Sequence, residues 1–112
     1  MHELSVVGVG PGSPDLLTPA AQAVINSAAT VVAAPRHAQL VPPAKLLLLG
    51  SLDSTFDEIE RRLKAGSVAV MVSGDPGLFS LLPRLKQRFP VVRLRVIPGI
   101  GSLQALCASL SE

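Results

Sequence analysis

The chain has 112 residues, a formal net charge of +2, 48% hydrophobic residues and 16% charged residues. These values indicate one globular domain and exclude a disordered chain, and the net charge is too small to indicate a nucleic-acid or membrane partner by itself. Three Phe with no Tyr or Trp argue against stacking on single-stranded RNA, and a single Cys excludes an internal disulfide.

The amino terminus carries no basic leader, and no apolar run is long enough to cross a bilayer. The longest runs are residues 46–49 and 68–72. A membrane-spanning helix needs about 20 apolar residues. We therefore expect a cytoplasmic protein without membrane partners.

Strand and helix signals alternate along the chain. Apolar or β-branched runs predict strands. Helices are predicted from capping residues and from apolar positions at three- and four-residue spacing, beginning with Thr18 as cap and Pro19 as first helical residue. The predicted strands cover residues 4–9, 30–34, 45–49, 68–72 and 91–97, and later helices cover about 78–89 and 102–110.

The segment between the third and fourth strands carries the clearest helix pattern. Thr55 and Glu58 have the spacing of a capping box, and Gly66 is placed to end the helix. Acid-to-base pairs at four-residue spacing predict a solvated face opposite the apolar one. These pairs are Asp57–Arg61, Glu58–Arg62 and Glu60–Lys64.

The following helix and strand contain two further features. Pro83 predicts a break or a fresh start within the helix at 78–89. Basic residues then occur without an acid between Asp75 and Glu112. They form either a solvated face or a patch for a polyanionic ligand. The residues are Arg84, Lys86, Arg88, Arg93 and Arg95.

Repeated strand–helix alternation predicts an α/β fold. We expect a mainly parallel sheet of about five strands with helices on both faces, formed by residues 1–112 as one domain. Such sheets bind ligands at the carboxyl ends of their strands. Three loops rich in Gly and Pro follow predicted strands, at residues 8–15, 73–77 and 98–102.

These three loops together predict a pocket for a nucleoside-type ligand. Asp75, between two glycines, is suited to accept hydrogen bonds from ligand hydroxyl or ammonium groups. A nicotinamide-binding module is an alternative, because Gly8 and Gly10 begin its glycine pattern. Ser13 and Pro14 depart from that pattern, and no acidic residue ends the second strand.

The combination of VGVGPGSPDLLTPAA, VSGDPGLF and VIPGIGSLQA resembles the tetrapyrrole methylase family over essentially the whole chain. Within the family, the Thr-Pro-Ala-Ala helix start and the Arg36-His37 pair are most similar to the precorrin C5-methyltransferases of cobalamin biosynthesis. The resemblance implies S-adenosylmethionine in a cleft between two α/β domains, a precorrin substrate and a homodimer. It therefore predicts an amino-terminal domain that lacks its second domain here.

By motif match, the resemblance implies cofactor contacts from seven residues. These are Pro11, Ser73, Gly74, Asp75, Leu78, Gly101 and Ser102. The family often has Asp directly after Gly-Pro-Gly, whereas this sequence has Ser13 there, so no catalytic carboxylate is assigned. His37 is interpreted as a packing or surface residue in preference to a general base, and no metal site is expected.

The implied reaction is methyl transfer to an electron-rich carbon of a precorrin. Two alternatives remain open at this stage. One is a family methylase with another substrate, such as ribosomal RNA. The other is a non-catalytic fragment or dimerising α/β domain, which the missing second domain favours.

Overall fold

The computed structural model describes residues 2–9 and 18–97, with the backbone alone at Val9, Arg36 and residues 73–80. The five strands are β1 (Leu4–Val9), β2 (Thr30–Ala33), β3 (Leu46–Leu48), β4 (Val68–Ser73) and β5 (Leu94–Ile97). The helices are α1 (Pro19–Ser27), α2 (Leu52–Leu63) and α3 (Gly74–Arg88). Two 3₁₀ segments, Pro35–Leu40 and Pro43–Lys45, connect β2 to β3.

All five strands form one parallel sheet in the order β3-β2-β4-β1-β5. The longest pairing joins β1 to β4, from Leu4 opposite Val68 to Val9 opposite Ser73. Parallel strands need crossovers, and the helices supply them. This arrangement confirms the predicted α/β fold class.

The side chains of the strands alternate between two hydrophobic clusters, one on each face of the sheet. Leu4, Val6 and Val70 lie in the cluster that α2 and α3 cover. Val7 and Met71 lie in the opposite cluster, which α1 covers. Each fully buried apolar side chain stabilises the fold by about 1.5–3 kcal/mol. The hydrophobic clusters on both faces therefore stabilise the sheet.

Helix α1 is fixed at both ends by side chains. The Thr18 hydroxyl accepts a hydrogen bond from the amide of Ala21 at 3.1 Å, which confirms the predicted cap. At the other end the Lys45 ammonium donates to the carbonyls of Ile25, Asn26 and Ala28 at 2.6, 2.9 and 3.2 Å. A cation at this end also favours the helix dipole.

Helix α2 begins one turn earlier than the sequence pattern indicates, so the predicted capping box is wrong. Ser51 is the cap, and its hydroxyl accepts from the amide of Ser54. Thr55 lies inside the helix, where it is buried and accepts from the amide of Gly50 at 3.2 Å. The half-buried Leu52 packs against the same cluster as Phe56, which extends the apolar face by a turn.

Gly66 follows α2 as predicted, but its close approach to another segment is what requires glycine. A Cβ built on Gly66 would lie 2.6 Å from the Cβ of Ala29. The Gly66 amide donates to the carbonyl of Arg62, and Ala29 donates to the carbonyl of Ser67. The α2–β4 and α1–β2 connections therefore touch at this point.

Two predictions about α3 are wrong. The helix starts at Gly74, directly after Ser73 of β4, so no loop separates the strand from the helix. It also continues through the exposed Pro83 without a break. A proline inside a helix costs roughly 3 kcal/mol. Burial of Leu85 and Phe89 against the sheet offsets that cost.

Strand β5 is shorter than predicted because β1, its neighbour among the described strands, starts at Leu4 opposite Leu94. Val91, predicted to be in the strand, is 90% exposed. Arg95 alternates outward on this edge strand as expected of a half-exposed strand. Among the described residues, no helix is both long and apolar enough to span a membrane.

The basic run does not form a free cationic patch. Arg93 and Arg95 pair with Glu3 at 3.6 and 3.8 Å, and Arg88 pairs with Asp57 and Glu60 across α2 and α3. These acids are distant in sequence, so the pattern along the chain gave no sign of them. Three of the five residues of the basic run are therefore paired with acids.

Arg88 also changes the predicted pairing on α2. Its guanidinium contacts both Glu60 carboxylate oxygens at 3.3 Å and lies 5.0 Å from the Phe89 ring centre. Of the three predicted pairs on α2, the structure forms Glu58–Arg62, at 3.1 Å, and Glu58 also contacts Arg61. Hydrogen bonds from Arg88 lower the pKa of Glu60, and the hydrogen bond from Arg62 is the main cause that lowers the pKa of Glu58.

We predict that Gly66→Ala destabilises the protein by about 1–3 kcal/mol, the usual cost of forcing an extra carbon into a packed site. The clash is with the Ala29 side chain, so Ala29→Gly in the same chain should recover part of the loss. Gly50→Ala is the matched control, because a Cβ there meets nothing within 4 Å. Urea unfolding measures all four proteins, and equal midpoints for the two alanine variants would contradict the assigned contact.

We also predict that the Arg88 network makes stability depend on pH. The folded pKa of Glu60 lies below its ordinary value of 4.5. Its contribution is therefore complete above that pH and is lost as the pH falls through the lowered pKa. Arg88→Met should reduce stability at about pH 7 and converge towards wild type at about pH 3. Arg84→Met is the control, and a pH-independent difference for Arg88→Met in urea unfolding would refute the prediction.

Candidate cofactor site at the carboxyl edge of the sheet

The connections that follow the two central strands, β1 and β4, lie on opposite faces of the sheet. After β1 the chain passes through α1, whose Ala21, Val24 and Ile25 pack in one cluster, and reaches β2 on one side of β1. After β4 it passes through α3, whose Leu85 packs in the other cluster, and reaches β5 beyond β1. Such a reversal leaves a crevice outside the carboxyl ends of the two strands, where α/β sheets bind ligands.

Four of the predicted contact residues lie at one side of this crevice. Ser73 is the last residue of β4, while Gly74, Asp75 and Leu78 fall within the first five residues of α3. The first amides of a helix have no partner within it and carry a partial positive charge. The direct strand-to-helix junction therefore holds these amides and the Asp75 residue at the edge of the sheet.

The other two predicted loops follow the neighbouring strands. Val9, at the end of β1, is opposite Ser73, and Ile97, at the end of β5, is opposite Val7. The three strands that precede the Gly/Pro motifs are thus adjacent in the sheet, in the order β4-β1-β5. Pro11, Gly101 and Ser102 themselves lie outside the described residues, as do Cys107 and the predicted last helix.

A further segment reaches the same edge from the other side of β4. The 3₁₀ segment Pro35–Leu40 follows β2, which pairs with β4. His37 in this segment is 2% exposed, so of the predicted packing and surface positions it occupies a packing position. From the sequence alone, the Arg36-His37 pair indicates only the subfamily. Hydrophobic periodicity does not predict strand order, and it is the strand order that places this pair beside β4.

The electrostatics of the crevice are set by few charged residues. The acid–base pairs with shifted pKa values lie on α2 and α3 away from it. Within residues 2–9 and 18–97, no three His, Cys, Asp or Glu side chains come together in a way that suits a metal ion. The residues whose backbone lies at this edge include a hydroxyl-bearing Ser73, an acidic Asp75 and a basic Arg36.

Comparison with known proteins gives a match to the family described as Tetrapyrrole (Corrin/Porphyrin) Methylases over residues 3–111. Among curated proteins, the cobalt-precorrin-7 C(5)-methyltransferase of Salmonella typhimurium is 34% identical over 108 residues. That alignment covers 94% of this chain and 53% of the relative. The chain therefore spans about half the length of this curated relative.

Solved structures have the same fold. The precorrin-6Y methylase (CbiE) of Archaeoglobus fulgidus superimposes with a TM-score of 0.68 and 25% identity, over 97% of this chain and 58% of that one. A uroporphyrin-III-C-methyltransferase from Thermus thermophilus gives a TM-score of 0.72 at 23% identity, over 94% of this chain and 52% of that one.

Proposed function

Because the chain belongs to the tetrapyrrole (corrin/porphyrin) methylase family, we propose that it supplies half of the cofactor cleft of a precorrin C-methyltransferase. In this proposal the cofactor is S-adenosylmethionine, and the reaction belongs to cobalamin biosynthesis. The observation that carries the proposal is the crevice between β1 and β4, with the Ser73-Gly74-Asp75 junction at its edge.

The groups at this edge fit a nucleoside-type cofactor. Ribose hydroxyls and an ammonium group are hydrogen-bond donors, and an ionised Asp75 is an acceptor with several lone pairs. The free amides at the start of α3 and the Ser73 hydroxyl suit carboxylate and other acceptor groups. In the proposed cleft Leu78 of α3 completes the cofactor contacts together with Pro11, Gly101 and Ser102, which follow β1 and β5 in the sequence.

In the proposed mechanism the protein mainly orients the cofactor and the substrate, and acid–base catalysis is the smaller part. When bound, S-adenosylmethionine supplies an electrophilic methyl group on a positively charged sulfur. The accepting carbon of a precorrin is itself electron-rich, so no activated Ser or Cys is needed. The residues of this chain would hold the cofactor in one orientation and leave its methyl group facing the substrate side of the cleft. No residue is assigned as catalytic.

One observation favours a second candidate. The 112 residues span about half the length of the curated relative described above, so the alternative is that this α/β domain, taken by itself, is not catalytic. The relatives described above are named for tetrapyrrole substrates, which favours a tetrapyrrole over RNA. Homodimerisation and a cytoplasmic location stay predictions of the family resemblance.

Calorimetric titration with S-adenosylhomocysteine tests the proposal. We expect saturable binding to the wild-type chain and a loss of about tenfold or more in affinity for Asp75→Asn, because a charge-assisted hydrogen bond contributes roughly 1.5–3 kcal/mol. Asp53→Asn is the matched control, since Asp53 also lies in the first turn of a helix. The absence of binding at millimolar ligand would favour the non-catalytic candidate. Equal affinities for wild type and Asp75→Asn would remove Asp75 from the site.

A further inference from the structure

A small cavity lies at the amino edge of the sheet, between the end of α1 and the amino ends of β1, β4 and β5. Its volume is about 40 Å³. A water molecule needs only about 10–15 Å³, whereas pockets for organic ligands measure roughly 300 Å³ or more. The cavity therefore suits water-sized ligands. The polar residues that line it are Glu3, Ser5, Ser27, Ser67 and Arg95.

Ser5 is the buried polar residue of this cavity, with 5% of its surface exposed. Its neighbours Leu4 and Val6 belong to the hydrophobic cluster under α2 and α3, so the side chain of Ser5 faces α1. Within residues 2–9 and 18–97, the Ser5 hydroxyl forms no hydrogen bond with another residue. A buried hydroxyl without a partner destabilises a fold, which indicates that a ligand in the cavity supplies the hydrogen bond.

The ion pair between Glu3 and Arg95 is wide enough for a water bridge. Arg95 Nη1 lies 3.8 Å from Glu3 Oε1, whereas a charge-assisted N–H···O hydrogen bond spans about 2.7–2.9 Å. Between polar groups more than about 3.5 Å apart, a bridging water is the contact to expect. Both residues line the cavity, so water there meets a carboxylate acceptor and a guanidinium donor.

The two other serines each keep a hydrogen-bonding function available. The Ser27 hydroxyl donates to the carbonyl of Val24 at 3.3 Å, so its oxygen can still accept a hydrogen bond. The Ser67 hydroxyl accepts from the amide of Ala29 at 3.3 Å, so its proton can still be donated. The cavity thus offers the two to four polar partners that an internal water molecule needs.

The charges around the cavity favour a neutral ligand over an ion. Glu3 already pairs with two guanidinium groups, those of Arg93 and Arg95, so a cation would add positive charge beside them. An anion would meet the Glu3 carboxylate and the carbonyl end of α1, which carries a partial negative charge. Water is the ligand that matches both the size and the charge of the site.

We propose that this cavity is a hydration site, in which at least one internal water molecule bridges the Ser5 hydroxyl to the Glu3–Arg95 pair. The water joins the amino ends of β1 and β5 beneath the end of α1. Internal water of this kind is part of the fold and is costly to remove. The inference is independent of the proposed function, because the site lies at the edge opposite the cofactor crevice.

Oxygen-17 magnetic relaxation dispersion tests for this water, since it counts water molecules that stay in a protein longer than those on its surface. Ser5→Val replaces the hydroxyl with methyl groups and fills part of the cavity. We expect this variant to lose the dispersion amplitude of at least one water molecule. Ser54→Ala, which removes an exposed hydroxyl on α2, is the control and should keep the wild-type amplitude. Equal amplitudes for wild type and Ser5→Val would overturn the hydration site.

The stability of Ser5→Ala tests the same site without added bulk, and so applies even where Ser5→Val does not fold. If the hydroxyl is bonded to water, its removal should raise the equilibrium constant for unfolding by about fivefold, the effect of one typical hydrogen bond. Urea unfolding measures this constant. An unchanged or lower value would show that the hydroxyl has no hydrogen bond to lose, and it would overturn the proposal.

Discussion

The parallel pairing of β1 with β4 is the interaction on which the rest of the structure depends. It joins six residues of each strand, from Leu4 opposite Val68 to Val9 opposite Ser73. Both strands are central, so their side chains supply apolar groups to the clusters on both faces. The connections that follow them leave towards opposite faces, and this reversal creates the crevice at their carboxyl ends.

The same topology divides the charged residues between two edges. Helices that return to the amino edge carry most of the cations with them, where ion pairs such as Arg88 with Glu60 and Arg95 with Glu3 join elements distant in sequence. The backbone of the Ser73-Gly74-Asp75 junction and of Arg36 lies at the carboxyl edge. One edge of the domain is thus suited to hold the fold together and the other to bind ligands.

Much of the fold could be predicted from sequence because strand positions depend on local apolar runs and turns. The predicted first strand matches β1, and Thr18 caps α1 as its sequence pattern indicates. The wrong predictions concern places where contacts between residues distant in sequence determine the structure. The packing of Leu52 against the core, which starts α2 a turn earlier with Ser51 as its cap, involves residues distant in sequence, as does the packing of Leu85 and Phe89 that stabilises a helix through Pro83. The sequence predicted that the Gly/Pro motifs lie at the ends of strands. It did not predict that β2 pairs with β4, because strand order is set by long-range packing.

Backbone NMR of the chain titrated with S-adenosylhomocysteine tests the central claim most directly, with NAD as the control ligand. The account predicts shifts at the amides that end β1 and begin α3, those of Gly8, Val9 and Gly74. Amides at the amino edge, such as those of Leu4 and Arg95, should stay unchanged. Shifts confined to the amino edge, or equal responses to NAD, would contradict a methylase cofactor site at the carboxyl edge of this sheet.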